Sequence, residues 1–261
     1  MKKSILSILF TLIFFISFSQ VMTYSSVRVD DSERAGYLEL EEFWSKIHEQ
    51  SIKEGYAQAW AVWEFIYEDE EDAEGKPDFL IMNIFKDSLQ RAKNYQRGES
   101  SYDYARKVYP KLSKRNFDKK WNLPRGERNN VFLKRLDNTI WAVGTPVIGM
   151  QAQLNVFKAL NDNYESYEME YFKTWHEKNI LNGSRKWWEF NKVLRRNVNT
   201  ESSIDDTPTH VTIDISGRQL SEEEIREQWN NRTFIDKMMG ENGAASRKML
   251  ARYQMKLVML R

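Results

Sequence analysis

Cysteine is absent from all 261 residues. That excludes disulfides, thiolate-bound metals, cysteine nucleophiles and a lipid-bearing cysteine at a processing site. Histidine occurs three times, as His48, His176 and His210, so a transition-metal site would rest on His210 plus carboxylates. The chain has no glycine-rich phosphate loop, no GxGxxG after a strand and no GxSxG elbow. The common nucleotide-binding and serine-hydrolase signatures are therefore missing. An excess of positive charge is missing too. The stretch 111–120 is basic but contains Asp118 and reads as a solvated helix face. A near-neutral chain offers no electrostatic footprint for nucleic acid. With 41% hydrophobic residues it can still bury a substantial core, as one large domain or two small ones.

The first 19 residues read as an export signal. Lys2 and Lys3 precede an apolar run over 5–16, and Ser17-Phe18-Ser19 supplies small residues where a signal peptidase cuts. The run is shorter than the roughly 20 residues of a spanning helix, and nothing after residue 19 is apolar enough to span. Loss of Lys2 and Lys3 lowers Lys+Arg from 39 to 37 against 38 Asp+Glu, a net of −1. The expected location is the periplasm or the extracellular space of a bacterium, where the sequons at Asn182 and Asn231 carry no meaning.

What the chain does have is an internal echo. Phe43-Trp44-x-x-x-His48-Glu49-x-x-Ile52-x-x-Gly55-x-x-x-x-Trp60 returns 128 residues later as Tyr171-Phe172, His176-Glu177, Ile180, Gly183 and Trp188. Five of those seven positions are identical. A repeat of this length marks two copies of one supersecondary unit. Pro77 with Asn83-Ile84 matches Pro208 with Asp214-Ile215, and Leu112-Ser113 with Trp121 matches Leu220-Ser221 with Trp229. The offset falls from 131 to 108 between these matches, so the first copy carries about 23 extra residues within 86–110.

Alternation and 3.6-residue periodicity predict the elements. Expected strands are 27–30, 57–68, 78–85 and 139–143 in the first copy, then 151–158, 185–196, 209–215 and 256–260 in the second. Helices are expected over 38–53 and 167–181, stopped by Gly55 and Gly183, with second helices starting near Leu112 and Leu220. The divisions are 1–19 as signal, 20–147 as first repeat and 148–261 as second.

The order of elements, the aromatic-x-x-x-His-Glu helix ending in glycine and the Trp opening the second strand resemble the ferredoxin-like dimeric α+β barrel superfamily. The resemblance implies an α+β fold of two tandem βαββαβ repeats, closed as a pseudo-dimeric antiparallel barrel with helices outside. Members usually close the barrel by dimerising, so a fused pair implies a monomer. Similar barrels include cofactor-free monooxygenases, haem-degrading oxygenases and haem peroxidases.

Period-2 alternation divides each strand into two faces. One set, Trp60, Val62 and Ile66 with Leu80, Met82 and Ile84, is expected to meet the helices, as are Trp188, Phe190 and Leu194 with Val211, Ile213 and Ile215. The opposite faces would then line the barrel. In the first copy that lining is aromatic, with Trp63, Phe65 and Tyr67 beside Asn83. In the second it is polar, with Glu189, Asn191 and Arg195 beside His210, Thr212 and Asp214. Interior charge is costly unless paired or solvated, so this lining reads either as a ligand cavity or as a paired polar cluster, with the faces reversed or with the groups pairing among themselves at exposed strand ends. These ten residues form the candidate site, with His210 and Asp214 as its acid–base or orienting pair. His48 and His176 lack the second histidine of HExxH, because Ser51-Ile52 and Asn179-Ile180 follow them. They are expected to be boundary residues hydrogen-bonded to a neighbouring segment. The insertion, with Tyr95, Tyr102, Tyr104 and Tyr109, is a lid over a barrel mouth or a solvated excursion, and its charge favours the latter.

Three functions fit these residues, and none specifies a cofactor. The first is an exported small-molecule-binding barrel. The second is an oxygenase-type enzyme in which His210, Asp214 or Asn191 deprotonates and orients a substrate, or in which His or Tyr ligates haem. The third is a non-catalytic envelope interaction protein.

Overall fold

A computed structural model describes residues 20–140, 146–197 and 207–261. The proposed signal, residues 1–19, and residues 141–143 of the expected fourth strand lie outside the described residues. The first half runs β1 (Val21–Arg28), α1 (Arg34–Lys53), β2 (Ala59–Ile66), β3 (Phe79–Phe85), α2 (Ser88–Tyr95), α3 (Ser101–Val108), α4 (Lys114–Trp121) and β4 (Glu127–Asn138). The second half runs β5 (Gln151–Ala159), α5 (Lys173–Leu181, preceded by a π-turn over Tyr167–Phe172), β6 (Arg185–Asn197), β7 (His210–Ser216), α6 (Glu222–Asn230), α7 (Phe234–Ala245) and β8 (Arg247–Leu260). Among the described residues no helix is long and apolar enough to cross a membrane.

All eight strands close into one antiparallel barrel, in the order β1-β3-β2-β8-β5-β7-β6-β4 with β4 returning to β1. Each half contributes a contiguous four-stranded sheet, β4-β1-β3-β2 and β8-β5-β7-β6, and the two meet at two seams, β4 with β6 and β2 with β8. Strand β4, absent from the expected elements, ends at Asn138, and Thr139 and Ile140 of the expected 139–143 strand are not in a strand. Polar residues on both faces hid it, since only Val131 and Leu133 are apolar on the barrel side and only Phe132 and Leu136 on the outer side.

The α1 stripe of Tyr37, Leu40, Phe43 and Ile47 is buried against the sheet and the later helices. Gly55 ends it at φ +74°, a conformation that costs a side-chain-bearing residue about 1 kcal/mol or more. Residues 86–110 are solvated along much of their length, as expected, but α3 anchors the segment to the core. Asp87 and Ser100 cap α2 and α3, and Tyr104 and Ala105 are buried beside Leu40, Phe43, Ile47 and Phe117.

The register settles which face looks inward, and it corrects two strands. Residues directly opposite in a ladder share a face. Trp63 pairs with Leu80 and Ala61 with Met82, so Leu80, Met82 and Ile84 point into the barrel with Trp63 and Phe65. Phe79 and Ile81 pack instead with Tyr37 and Trp60 beneath the helices. In the second half Asn191 pairs with Val211 and Glu189 with Ile213. Val211, Ile213 and Ile215 therefore fill the barrel, and His210, Thr212 and Asp214 lie on the outer face. The reading of β2, and of β6 as far as Val193, stands; that of β3 and β7 is reversed.

Candidate functional site

The barrel interior is filled by side chains along most of its length. Met22, Leu133 and Met255 are fully buried, with Trp63, Phe65 and Trp187 in the same cluster and Tyr67 packed at its edge. Of the polar lining expected from sequence, only Glu189 and Asn191 are inside. Glu189 accepts hydrogen bonds from Tyr24 Oη at 2.8 Å, Asn191 Nδ2 at 3.0 Å and Trp187 Nε1 at 3.3 Å, and it pairs with the Arg135 guanidinium. A carboxylate with that many donors is neutralised by its neighbours. Of the two readings of the lining, the paired polar cluster describes Glu189. What remains open is a cavity of about 140 Å³ toward the end of the barrel where β1 finishes and β4 begins.

The other expected residues lie elsewhere. A bulge near residue 194 opposes Phe132 to Arg195 and Leu133 to Val193, which turns Arg195 outward over the Phe132 ring at 4.5 Å. Arg196 borders the interior cavity in its place. His210 and Asp214 do not meet. His210 is held by Thr209 Oγ1 at 2.8 Å and Glu165 Oε1 at 3.1 Å, under the rings of Tyr164 and Phe190. Asp214 pairs with Arg185 and accepts from Asn155 Nδ2 at 2.8 Å, and the same Nδ2 reaches Thr212 Oγ1 at 3.0 Å. Asn83 is on the outer face as well, and there it lines the site that the geometry favours.

That site is a cleft of about 480 Å³ between α1, the outer face of the first-half sheet, and α2 and α3. Several polar groups border it without a hydrogen-bond partner among the described residues. Thr23 Oγ1 and Trp60 Nε1 are buried and unmatched. The Asn83 amide makes no side-chain hydrogen bond. The His48 ring stacks on Trp60 with centroids 4.9 Å apart and planes at 11°, touches Trp44, and makes no hydrogen bond. This departs from the hydrogen-bonded boundary role expected of it. Burial, reinforced by the positive charges of Arg97 and Arg128, pushes the His48 pKa down to about 3. The imidazole is therefore neutral at physiological pH, with one nitrogen able to donate and the other to accept. Unmatched buried polar groups are uncommon because each costs about 1–3 kcal/mol. Thr23 Oγ1 and Trp60 Nε1 are two such groups, and the half-buried His48 and Asn83 add polar atoms around the same opening.

The equivalent place in the second half is occupied by protein. His176 stacks on Trp188 at 4.8 Å and 18°, as His48 does on Trp60. Here the Arg185 guanidinium reaches both His176 Nδ1 and Asp214, filling the space beside the ring. Burial lowers the His176 pKa, and Arg185 lowers it further. No group of three or more potential metal ligands occurs among the described residues.

No family model matches the chain, and no curated protein matches it in sequence. Solved structures do share its fold. A protein of Lactobacillus acidophilus NCFM provisionally named a monooxygenase is similar at TM-score 0.54 and 9% identity, over 93% of this chain and 95% of that one. An anthrone oxidase-like protein aligns at TM-score 0.51 and 8% identity, over 94% of each chain. A Fusobacterium nucleatum subsp. nucleatum ATCC 25586 protein, also provisionally named a monooxygenase, aligns at TM-score 0.50 and 13% identity, over 95% of each. At such identities the likeness establishes the fold: an α+β protein built on a closed eight-stranded antiparallel barrel.

Proposed function

We propose that this protein binds a small molecule in the His48 cleft. The observation that carries the reading is the convergence of the unpartnered His48, Thr23, Trp60 and Asn83 groups on one opening. Aromatic walls from Trp44, Tyr95 and Phe132 suit a planar, partly apolar ligand. We further read the two halves as a duplicated and fused unit acting as a monomer, and residues 1–19 as an export signal.

A second reading makes the protein an oxygenase-type enzyme, and the neutral His48 favours it. A weakly basic imidazole accepts a proton from a phenol or enol only when the resulting anion stays beside it, because the ion pair offsets the cost of charging a buried ring. The cleft's arginines would hold that anion while it reacts with oxygen. The names of the barrel neighbours, monooxygenase and anthrone oxidase-like, agree with this chemistry. Haem also suits the donor set: His48 would ligate the iron and the arginines would hold the propionates. Bound haem would supply redox chemistry.

Anthrone and haemin separate these readings. Anthrone is expected to quench the cleft tryptophans, with the affinity falling about tenfold or more in His48→Ala. Oxygen uptake with anthrone would mark the enzyme, and a Soret band that His48→Ala abolishes would mark haem. Binding of both probes unchanged in His48→Ala would remove the cleft as the site.

A further inference from the structure

The cleft's charge is unbalanced. Arg91, Arg97, Arg125 and Arg128 border it, against Glu41 and Glu99. Both carboxylates are engaged, Glu41 with Arg128 at 2.8 Å and Glu99 with Lys107 at 2.7 Å. Arg97 donates to Ser51 Oγ at 2.5 Å and to Asn94, between the rings of Tyr56 and Tyr104. Arg125 donates to the Trp121 carbonyl at 3.1 Å.

Arg91 has no such match. Its guanidinium lies 4.4 Å from the Phe132 ring centre and 5.1 Å from that of Tyr95, its Nε is buried without an acceptor, and among the described residues it makes no ion pair. A guanidinium is always charged, and five N–H donors in a fixed fork match an anionic oxygen pair. Aromatic faces offset part of its lost hydration but accept no conventional hydrogen bond. A cation held half-buried at the wall of a cleft, with its fork unmatched, is built for an anion that arrives with the ligand.

Resting on the cleft being the binding site, we infer that its ligand is a planar aromatic acid whose anionic oxygens are held by Arg91. The ring lies among Trp60, Tyr95 and Phe132, and the neutral groups of His48, Thr23 and Asn83 meet its other polar substituents. Arg91 comes from α2, within the segment that the second half lacks, so the insertion supplies the ligand selectivity. In the second half, where α2 and α3 have no counterpart, Asp214 of the protein itself occupies the anionic role opposite Arg185.

A matched pair of probes tests this: 2-naphthoate and 2-naphthamide, which share a ring and differ in charge, titrated into the full chain. The unsubstituted protein is expected to prefer the carboxylate about tenfold, the worth of one charge-assisted pair. Arg91→Gln should abolish that preference by weakening the carboxylate far more than the carboxamide, and Arg91→Lys should restore part of it. Rising salt should weaken only the carboxylate. Equal affinity for the two probes, or a preference that survives Arg91→Gln, overturns the inference. Carboxamide binding that depends on His48 without a carboxylate preference would leave the cleft standing and remove the anion. Failure of both probes to bind would remove both.

Discussion

His48 and His176 occupy equivalent positions on equivalent helices and stack on equivalent tryptophans, yet their surroundings diverge. Around His48 the protein leaves polar groups unmatched, and two extra helices wall an opening. Around His176 an internal ion pair, Arg185–Asp214, fills the space beside the ring. The helical layers differ in the same sense. The first half buries Tyr104 and Phe117 beneath its helices, whereas the second leaves Trp229, Phe234 and Ile235 well exposed. On the proposed reading one scaffold serves two purposes, with recognition in the first half and internal pairing in the second.

Asp214→Ala should break this contrast most sharply. It leaves the buried Arg185 without its counter-ion and is expected to cost about 3–5 kcal/mol in urea unfolding, while ligand binding in the first half persists. A smaller effect concerns pH. The folded-state pKa of His48 is depressed from 6.5 to about 3, so its contribution is fully present above pH 6.5 and is lost as pH falls toward 3. Stability at pH 4.5 should lie about 2 kcal/mol closer to that at pH 7 in His48→Ala than in the unsubstituted protein. His176, lowered in the same direction, should contribute with the same sign.

Exchanging the roles of the two histidines sharpens the comparison. His48→Ala should weaken ligand binding about tenfold with little loss of melting temperature, and His176→Ala should lower the melting temperature and leave binding intact. Equal behaviour of the two variants would erase the proposed division. The smallest effect should be shared by both halves. Ser113 and Ser221 cap corresponding helices by accepting from Asn116 N and Glu224 N, so Ser113→Ala and Ser221→Ala should each cost about 1 kcal/mol.

Much of the barrel is legible in the repeat, because His-Glu, Gly and Trp recur wherever helix, stop and strand recur. The faces of β2 and β6 can be read because one side of each is unmistakable. Strand β3 gives no such mark: Phe79 to Met82 is apolar at every position, so alternation has no phase until Trp63 is set opposite Leu80. Strand β7 misleads in another way, since its polar residues are buried beneath the second-half helices and tied to Glu165, Asn155 and Arg185 from distant segments. The candidate site was half visible. His48 and Trp60 stand out in the sequence, but nothing local shows that they lack partners, or that Arg91 and Phe132 arrive from 43 and 84 residues beyond His48 to face them.

Because each half's four strands form an open sheet, edged by β4 and β2 in the first and by β6 and β8 in the second, neither half closes a barrel alone. A fragment ending before β5 would keep β4 unpaired along the edge that β6 covers, and β2 would lose β8 from its flank. In a protein without a disulfide, this edge pairing at two seams acts as the clasp. Melting should be one cooperative event, and a lesion in the second half would still unmake the cleft in the first.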